Sequence, residues 1–269
     1  MGINQIEVKS ILQKSGIPGV AYVINPYTGC VHGCVYCYAR FMKRFTGHTE
    51  KWGTFIDVKA NAPELLRKQL KRRKAPLKEE VFLSSVTDPY LPAESKYKLT
   101  RKILEVLLEY QVPISILTKS DLVLRDLDLL KQFQQCSVGL SVMTCNDEIG
   151  RRFEPYAPSP TRRLQAFRTL KENGIDTYAF ISPYLPRLSD IEQLMKALDG
   201  LVNEVGVETL NPCGANWDGV AQVLKQYYPH LLPDYKPLVK DESYWQTIEG
   251  HARHLAAQLN IAFMGFYRH

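Results

Sequence analysis

Hydrophobic and polar positions along this chain switch repeatedly between two periods: short apolar runs of strand type, then stretches with an apolar residue every three or four positions. Strand-type runs fall at residues 19–25 (GVAYVIN), 81–86, 113–118 (PISILT), 137–143 (SVGLSVM), 177–181 and 205–210, with a shorter one at 55–59. Helical periodicity fills the intervals at 99–110, 122–133, 161–173, 189–202 and 217–228. Another helix starts near Ala62 and ends before Pro76, and a terminal helix over 240–260 leads into an apolar run at 261–266, suited to an edge strand or a cover over one end. The punctuation agrees: Pro26 ends the first strand, Asp121 stands where it can cap helix 122–133, and Gly174 where helix 161–173 must stop. Six strand–helix units predict an α/β fold, a partial (βα)6 TIM-like barrel of parallel strands with a C-terminal helix and strand extension.

No internal repeat, low-complexity tract or Gly/Ser linker divides the chain, so one domain over 1–269 is expected, with its core at 19–228 and the extension at 229–269. In a parallel α/β sheet, ligands bind at the C-terminal strand ends, where the loops converge. The chemically rich residues obey this rule. Cys30, Cys34 and Cys37 follow the first strand, Thr87 and Asp88 the second and Lys119 the third, Ser141 lies late in the fourth, and Asn211 and Cys213 follow the last.

Composition narrows the class. With 45% apolar and 23% charged residues the chain can build a sizeable core, which excludes a disordered protein. The N-terminus lacks a charged leader with an apolar stretch behind it, and no apolar run reaches membrane-spanning length, so a cytoplasmic protein without membrane contact is expected. A net charge of +6 permits a polyanionic partner without demanding one. The densest basic run, Arg67, Lys68, Lys71, Arg72, Arg73 and Lys74, falls on helix 62–74 and reads either as a solvated face or as a surface for nucleic acid.

Three of the six cysteines crowd into Cys30-x-x-x-Cys34-x-x-Cys37, within NPYTGCVHGCVYCYARF, where Gly29 and Gly33 let the backbone wrap closely around a compact ligand. Three soft thiolates suit an iron–sulfur cluster and leave one iron of a [4Fe–4S] cube open to a chelating cofactor. Zinc on these cysteines with His32 is the competing assignment; structural zinc favours two separated ligand pairs, and the chain offers no second CxxC or HxxxH. The motif, followed directly by the aromatic Tyr38, resembles that of the radical S-adenosylmethionine superfamily. The stretches VKANAPELL, SSVTDPYLPAE, ILTKS and FEPYAPSPTRRL are similar to its branch related to spore photoproduct lyase, over about residues 20–210.

That resemblance implies a [4Fe–4S] cluster on Cys30, Cys34 and Cys37, S-adenosylmethionine as cofactor, a one-electron donor such as flavodoxin or ferredoxin, and a 5′-deoxyadenosyl radical that abstracts hydrogen. It places Tyr38 against the adenine, Thr87 and Asp88 near the methionyl group, Lys119 on the cofactor carboxylate and Ser141 on the ribose or carboxylate, and it makes Arg163 a loop support through Glu154. Spore photoproduct lyase returns a hydrogen from a cysteine two residues before the cofactor-contacting position in the loop after its second strand. Here that stretch reads Ser84-Ser85-Val86-Thr87-Asp88, without a cysteine, so the same hydrogen-return route is not expected. Of the remaining thiols, Cys136, Cys145 and Cys213, the last, in NPCGAN, is the candidate hydrogen donor. Tyr90, Tyr156, Tyr184, Tyr227 and Tyr228 are expected either to stack bases or relay hydrogen at the mouth, or to pack at element ends. Three functions follow: a radical enzyme acting on nucleic acid or a nucleotide, one acting on a small metabolite or peptide, or a metal-stabilised binding protein.

Overall fold

The computed structural model describes residues 2–269, so only Met1 of the expected domain lies outside it. In chain order the elements are β1 (Gly2–Ile6), β2 (Gln13–Lys14), β3 (Tyr22–Ile24), β4 (Tyr27–Thr28), α1 (Lys43–Thr46), β5 (Phe55–Lys59), α2 (Ala62–Lys71), β6 (Val81–Leu83), α3 (Glu94–Tyr97), α4 (Leu99–Glu109) and β7 (Ile114–Thr118). There follow α5 (Leu127–Leu130), β8 (Cys136–Ser141), α6 (Asp147–Phe153), α7 (Pro160–Glu172), β9 (Asp176–Tyr184), α8 (Ile191–Leu198), β10 (Glu204–Thr209), α9 (Gly214–Tyr227), α10 (Leu232–Val239), α11 (Glu242–Gln258) and β11 (Ala262–Tyr267). The main sheet runs β2-β3-β6-β7-β8-β9-β10-β11, parallel throughout except for the antiparallel edge strand β2. It is the open α/β barrel expected, with the terminal run resolved as a parallel edge strand on β10. The pattern did not reveal the side sheet β1-β5-β4, in which β1 pairs parallel with β5 and β4 antiparallel. Among the described residues no helix is long and apolar enough to cross a membrane.

The alternation of side chains explains why this barrel is hollow at one end. In β7, Ile114 and Ile116 are fully buried, while Ser115 and Leu117 line an interior cavity. In β9, Ala179 and Ile181 are buried while Tyr178, Phe180 and Ser182 line that cavity. Outside the sheet, Ile103, Leu104 and Leu107 of α4, Phe167 and Leu170 of α7, and Leu194, Met195 and Leu198 of α8 form the apolar layer. Burying each such side chain contributes about 1.5–3 kcal/mol. Gly139 makes room for the floor of the cavity, because a Cβ there would stand 2.2 Å from the Tyr178 ring. The Tyr178 hydroxyl donates to the Ile116 carbonyl at 3.0 Å and accepts from Ser115 Oγ at 3.1 Å.

Two local expectations change. Residues 122–133 form not one helix but a 3-10 turn, Asp121–Asp126, followed by the single-turn α5. The cap is Ser120, whose Oγ accepts from Leu122 N at 3.3 Å, because Asp121 is drawn away into a two-pronged ion pair with Arg162 at 2.8 and 2.9 Å. The basic helix ends at Lys71, ahead of the expected stop. Its C-terminal end leads toward the start of β6, and the Arg73 guanidinium lies 5.3 Å from the ring centroid of Tyr22, the first residue of β3. The end of the basic run therefore lies at the N-terminal ends of the strands, away from the mouth at their C-terminal ends.

The side sheet carries a titratable lock. The His48 ring stacks on Phe55 at 3.8 Å between centroids, with Nε2 2.8 Å from Asp57 Oδ2 and Nδ1 3.0 Å from Glu50 Oε2. The hydrogen bond to Asp57 raises the imidazole pKa above its ordinary 6.5, burial opposes this, and Glu50 adds to it. A raised folded-state value means that the stabilisation is complete below the unfolded value and fades as pH rises through the folded one. Thermal unfolding of the wild type and His48→Gln between about pH 5.5 and about pH 9 is expected to show the largest wild-type advantage at the acid end, shrinking as imidazole deprotonates. A difference independent of pH contradicts this.

Candidate active site

The cysteine loop is pinned on its N-terminal side by side-chain bonds to backbone. At its start, Asn25 Oδ1 accepts from Ser85 N and Val86 N, each at 3.0 Å, tying the end of β3 to the loop after β6. Thr87 Oγ1 donates to the Gly29 carbonyl at 2.5 Å. Gly29 has φ +81°, and a Cβ there would stand 2.5 Å from the Phe55 carbonyl; Gly33 has φ +64° with the Tyr156 ring against it. Both positions therefore need glycine for conformation and for space. The resulting turn presents Cys30, Cys34 and Cys37 to one cavity of about 500 Å³, also lined by Tyr38, Thr87, Asp88, Lys119 and Ser141. Every expected cofactor and cluster residue except the hydrogen donor is thus brought to the same cavity.

Beneath the loop lies a buried web of charge. Arg163 is 1% exposed; its guanidinium donates to the Pro158 and Ser141 carbonyls, each at 2.9 Å, and to Glu154 Oε2. Glu154 also accepts from the Tyr36 hydroxyl, and its Oε1 lies 3.8 Å from Lys119 Nζ. Burial works against the charge on Glu154, but Arg163 and then Lys119 outweigh it and hold the carboxyl below its ordinary pKa. Burial likewise opposes the charge on Lys119, and the Glu154 carboxylate, foremost among the opposing causes, outweighs it, so its ammonium form is favoured. A cation is thereby fixed at the cavity wall. The Ser141 hydroxyl, facing the same cavity, makes no hydrogen bond among the described residues.

Asp88, at the cavity wall, directs its oxygens to partners within the protein. Its oxygens accept from Thr118 Oγ1 at 2.6 Å, Lys119 N at 2.8 Å and Tyr90 N at 2.8 Å, and Oδ2 lies 3.2 Å from His32 Nε2. Burial raises its pKa, but His32, Thr118 and the Lys119 amide lower it to about 2. It braces the strand ends and the cysteine loop from within. The Tyr38 hydroxyl donates to the Ser85 carbonyl, which draws its ring across the cavity rim.

The donor set suits an iron–sulfur cluster. Burial raises the pKa of Cys30 and Cys37, and that of Cys34 to about 12, so without a cation these are neutral thiols, whereas bound iron would favour their thiolates. Among the described residues no three Cys, His, Asp or Glu side chains converge as a single metal ion requires. Both ring nitrogens of buried His32, between the first two cysteines, lack a well-aligned hydrogen-bond partner in the protein. The residues fit the cluster.

Other expected residues fall outside the cavity. Cys213 is exposed, immediately before α9, and does not line it. Tyr90 is buried behind the wall with Arg125 over its ring, Tyr184 packs on Trp245, and Tyr227 and Tyr228 flank Arg152. Tyr156 alone of this group touches the cysteine loop, over Gly33. The pattern missed the far wall: Glu208, which accepts from Ser182 Oγ and lies 3.0 Å from His269 Nε2, together with Met264 and Tyr267 of β11. Glu208, a lone carboxylate in the apolar run VGVETL, was the available signal.

An open parallel barrel with three cysteines in the loop after its first strand defines a class of enzyme scaffolds built around a cluster at the barrel mouth. The chain belongs to the radical SAM superfamily, whose family model matches residues 24–199. It is 36% identical over 267 residues to an uncharacterized protein of Methanocaldococcus jannaschii, covering 99% of this chain and 98% of that one. It is 29% identical over 202 residues to a radical SAM Nα-GlyT isomerase of Pseudomonas phage M6, covering 73% of this chain and 41% of the relative. Among solved structures it resembles spore photoproduct lyase complexed with dinucleoside spore photoproduct, with a TM-score of 0.69 at 19% identity over 98% of this chain and 82% of that one.

Removing the buried cation tests the web. Arg163→Met is expected to destabilise the protein by about 3–5 kcal/mol, because it strands the Glu154 carboxylate, and Arg163→Met with Glu154→Gln to recover part of that loss. Denaturant titration checks both; a single variant with the wild-type midpoint contradicts the assignment.

Proposed function

We propose that this chain reductively cleaves S-adenosylmethionine at a [4Fe–4S] cluster on Cys30, Cys34 and Cys37, giving a 5′-deoxyadenosyl radical that takes a hydrogen atom from a nucleic acid or nucleotide. The observation that carries this reading is the meeting of three thiols, a fixed cation and an unpartnered hydroxyl in one cavity. Lys119, held charged by Glu154, would attract the cofactor carboxylate, and Ser141 would offer its free hydroxyl to the ribose or carboxylate. Thr87 and Asp88 act through the wall, the first by holding the Gly29 carbonyl and the second by fixing Thr118 and the Lys119 amide. Tyr38, tethered to Ser85, would cover the adenine side. Phe82, Leu117, Phe180 and Met264 give the cavity an apolar lining that limits water around a radical.

The nucleic-acid substrate is favoured by the dinucleoside held in the similar lyase structure. The small-metabolite or peptide reading draws on the basic run of helix 62–74 ending away from the mouth. A hydrogen-donor role for Cys213 finds no support in its exposed position. A flavodoxin or ferredoxin would supply the electron.

Anaerobic reconstitution with iron and sulfide, reduction with dithionite and assay of 5′-deoxyadenosine test the proposal. The wild type is expected to form it, Cys34→Ala to form none, and Lys119→Met to raise the KM for S-adenosylmethionine by about tenfold or more through loss of a charged contact. A reconstituted protein carrying about four irons per chain that releases no 5′-deoxyadenosine would sink the proposal.

A further inference from the structure

Directly after Cys37 the chain turns through a 3-10 segment, Tyr38–Met42, into α1, and three aromatic rings of this stretch face solvent. Tyr38 is 48% exposed, Phe41 41% and Phe45 75%. The rings form a row: Tyr38 and Phe41 are near-parallel at 6.4 Å between centroids, and Phe41 and Phe45 meet edge-on at 6.2 Å. None of the three packs against the core, whereas their neighbour Met42 does. A contiguous apolar row left in water, starting at the cavity rim, is the kind of surface that a ligand covers.

The charge around the row is positive. Lys43 Nζ donates only to the Thr49 carbonyl at 3.1 Å, and Arg44 and Lys51 are exposed, with no ion pair among the described residues. Of the acids nearby, Glu50 is engaged by His48, and Glu208, on the Tyr38 side, by Ser182 and His269. Arg40 is not part of this surface, because its guanidinium donates to the carbonyls of Cys34 at 3.1 Å, Val35 at 2.7 Å and Ala215 at 3.1 Å. Those bonds clamp the aromatic segment to the cysteine loop and to α9, so the row is held in place relative to the cavity.

We propose that Phe41 and Phe45, with Lys43, Arg44 and Lys51, form a stacking platform for a single-stranded or unpaired stretch of nucleic acid, leading one base past Tyr38 into the cavity. Flat rings offer faces to bases that have lost their own stacking partners, and flanking cations meet the phosphates. Paired bases already stack on each other, so the platform selects against duplex. This deepens the nucleic-acid reading above and rests on it. The exposed large apolar side chains of this segment are all aromatic rings, and ring faces flanked by cations suit bases and phosphates better than the surface of an acidic electron-transfer protein.

Fluorescence anisotropy of a labelled mixed-sequence oligonucleotide of about ten nucleotides, single-stranded or paired, tests the platform on the reconstituted protein. The wild type is expected to prefer the single strand, Phe45→Ser to weaken it about tenfold, and Arg44→Glu to weaken it and flatten its salt dependence. Two exposed positions of different chemistry keep the test independent of folding. Equal single-strand affinity in all three proteins overturns the proposal. So does loss of flavodoxin binding in both variants with oligonucleotide affinity unchanged, which would assign the face to the electron donor. Cofactor cleavage by the wild type separates this claim from the parent reading: cleavage without oligonucleotide binding overturns the platform alone, and binding without cleavage overturns the parent function alone.

Discussion

A buried ion pair, Arg163 with Glu154, holds the candidate site together. At 1% exposure each group is compensated chiefly by the other, and each spends its remaining capacity on the cavity wall. Arg163 fixes the end of β8 through the Ser141 carbonyl, while Glu154 receives the Tyr36 hydroxyl from the cysteine loop and faces Lys119 beyond β7. Three loops that are distant in sequence are thus joined through one carboxylate and one guanidinium. The cation at Lys119 is a consequence of this web, since the carboxylate outweighs the desolvation that would otherwise neutralise a lysine in this position.

The barrel supplies the space that the web surrounds. Its strands send aliphatic side chains outward to the helices and a mixture of aromatic, aliphatic and polar ones inward, with Gly139 yielding to Tyr178 at the floor. Such a core is stable because the apolar burial lies between sheet and helices, leaving the strand C-termini free to hold reactive groups. Asp88 joins the two regions: its carboxylate fixes the turn after β7 and stands against His32 inside the cysteine loop.

Much of this was legible in the chain because the informative signals are local. The alternation of periods gave the order of the parallel strands, and CxxxCxxC lies within eight residues, so no long-range folding is needed to read it. Glu154 and Arg163 could be paired because both lie in the family-like stretch FEPYAPSPTRRL. The failures are non-local. Nothing local shows that Asp88 turns its oxygens inward, that Asp121 leaves its helix for Arg162, or that the end of the basic run lies beside Tyr22. The far wall of the cavity, Glu208 with His269, depends on β11 pairing beside β10, a contact across some sixty residues of chain. The aromatic row at Tyr38, Phe41 and Phe45 was present in CYARFMKRF, but its exposure follows only from the way Arg40 clamps the segment.

On the proposed function, Cys30, Cys34 and Cys37 hold a cluster with one iron open to S-adenosylmethionine. Electron paramagnetic resonance of the anaerobically reconstituted, dithionite-reduced protein, recorded with and without S-adenosylmethionine, tests it most directly. The expected result is the signal of a reduced [4Fe–4S] cluster whose g-values shift when the cofactor is added and which is absent when any of the three cysteines is replaced. A cluster signal that S-adenosylmethionine leaves unchanged, or a protein that takes up zinc and assembles no cluster, would rule out a cofactor-binding cluster on these cysteines.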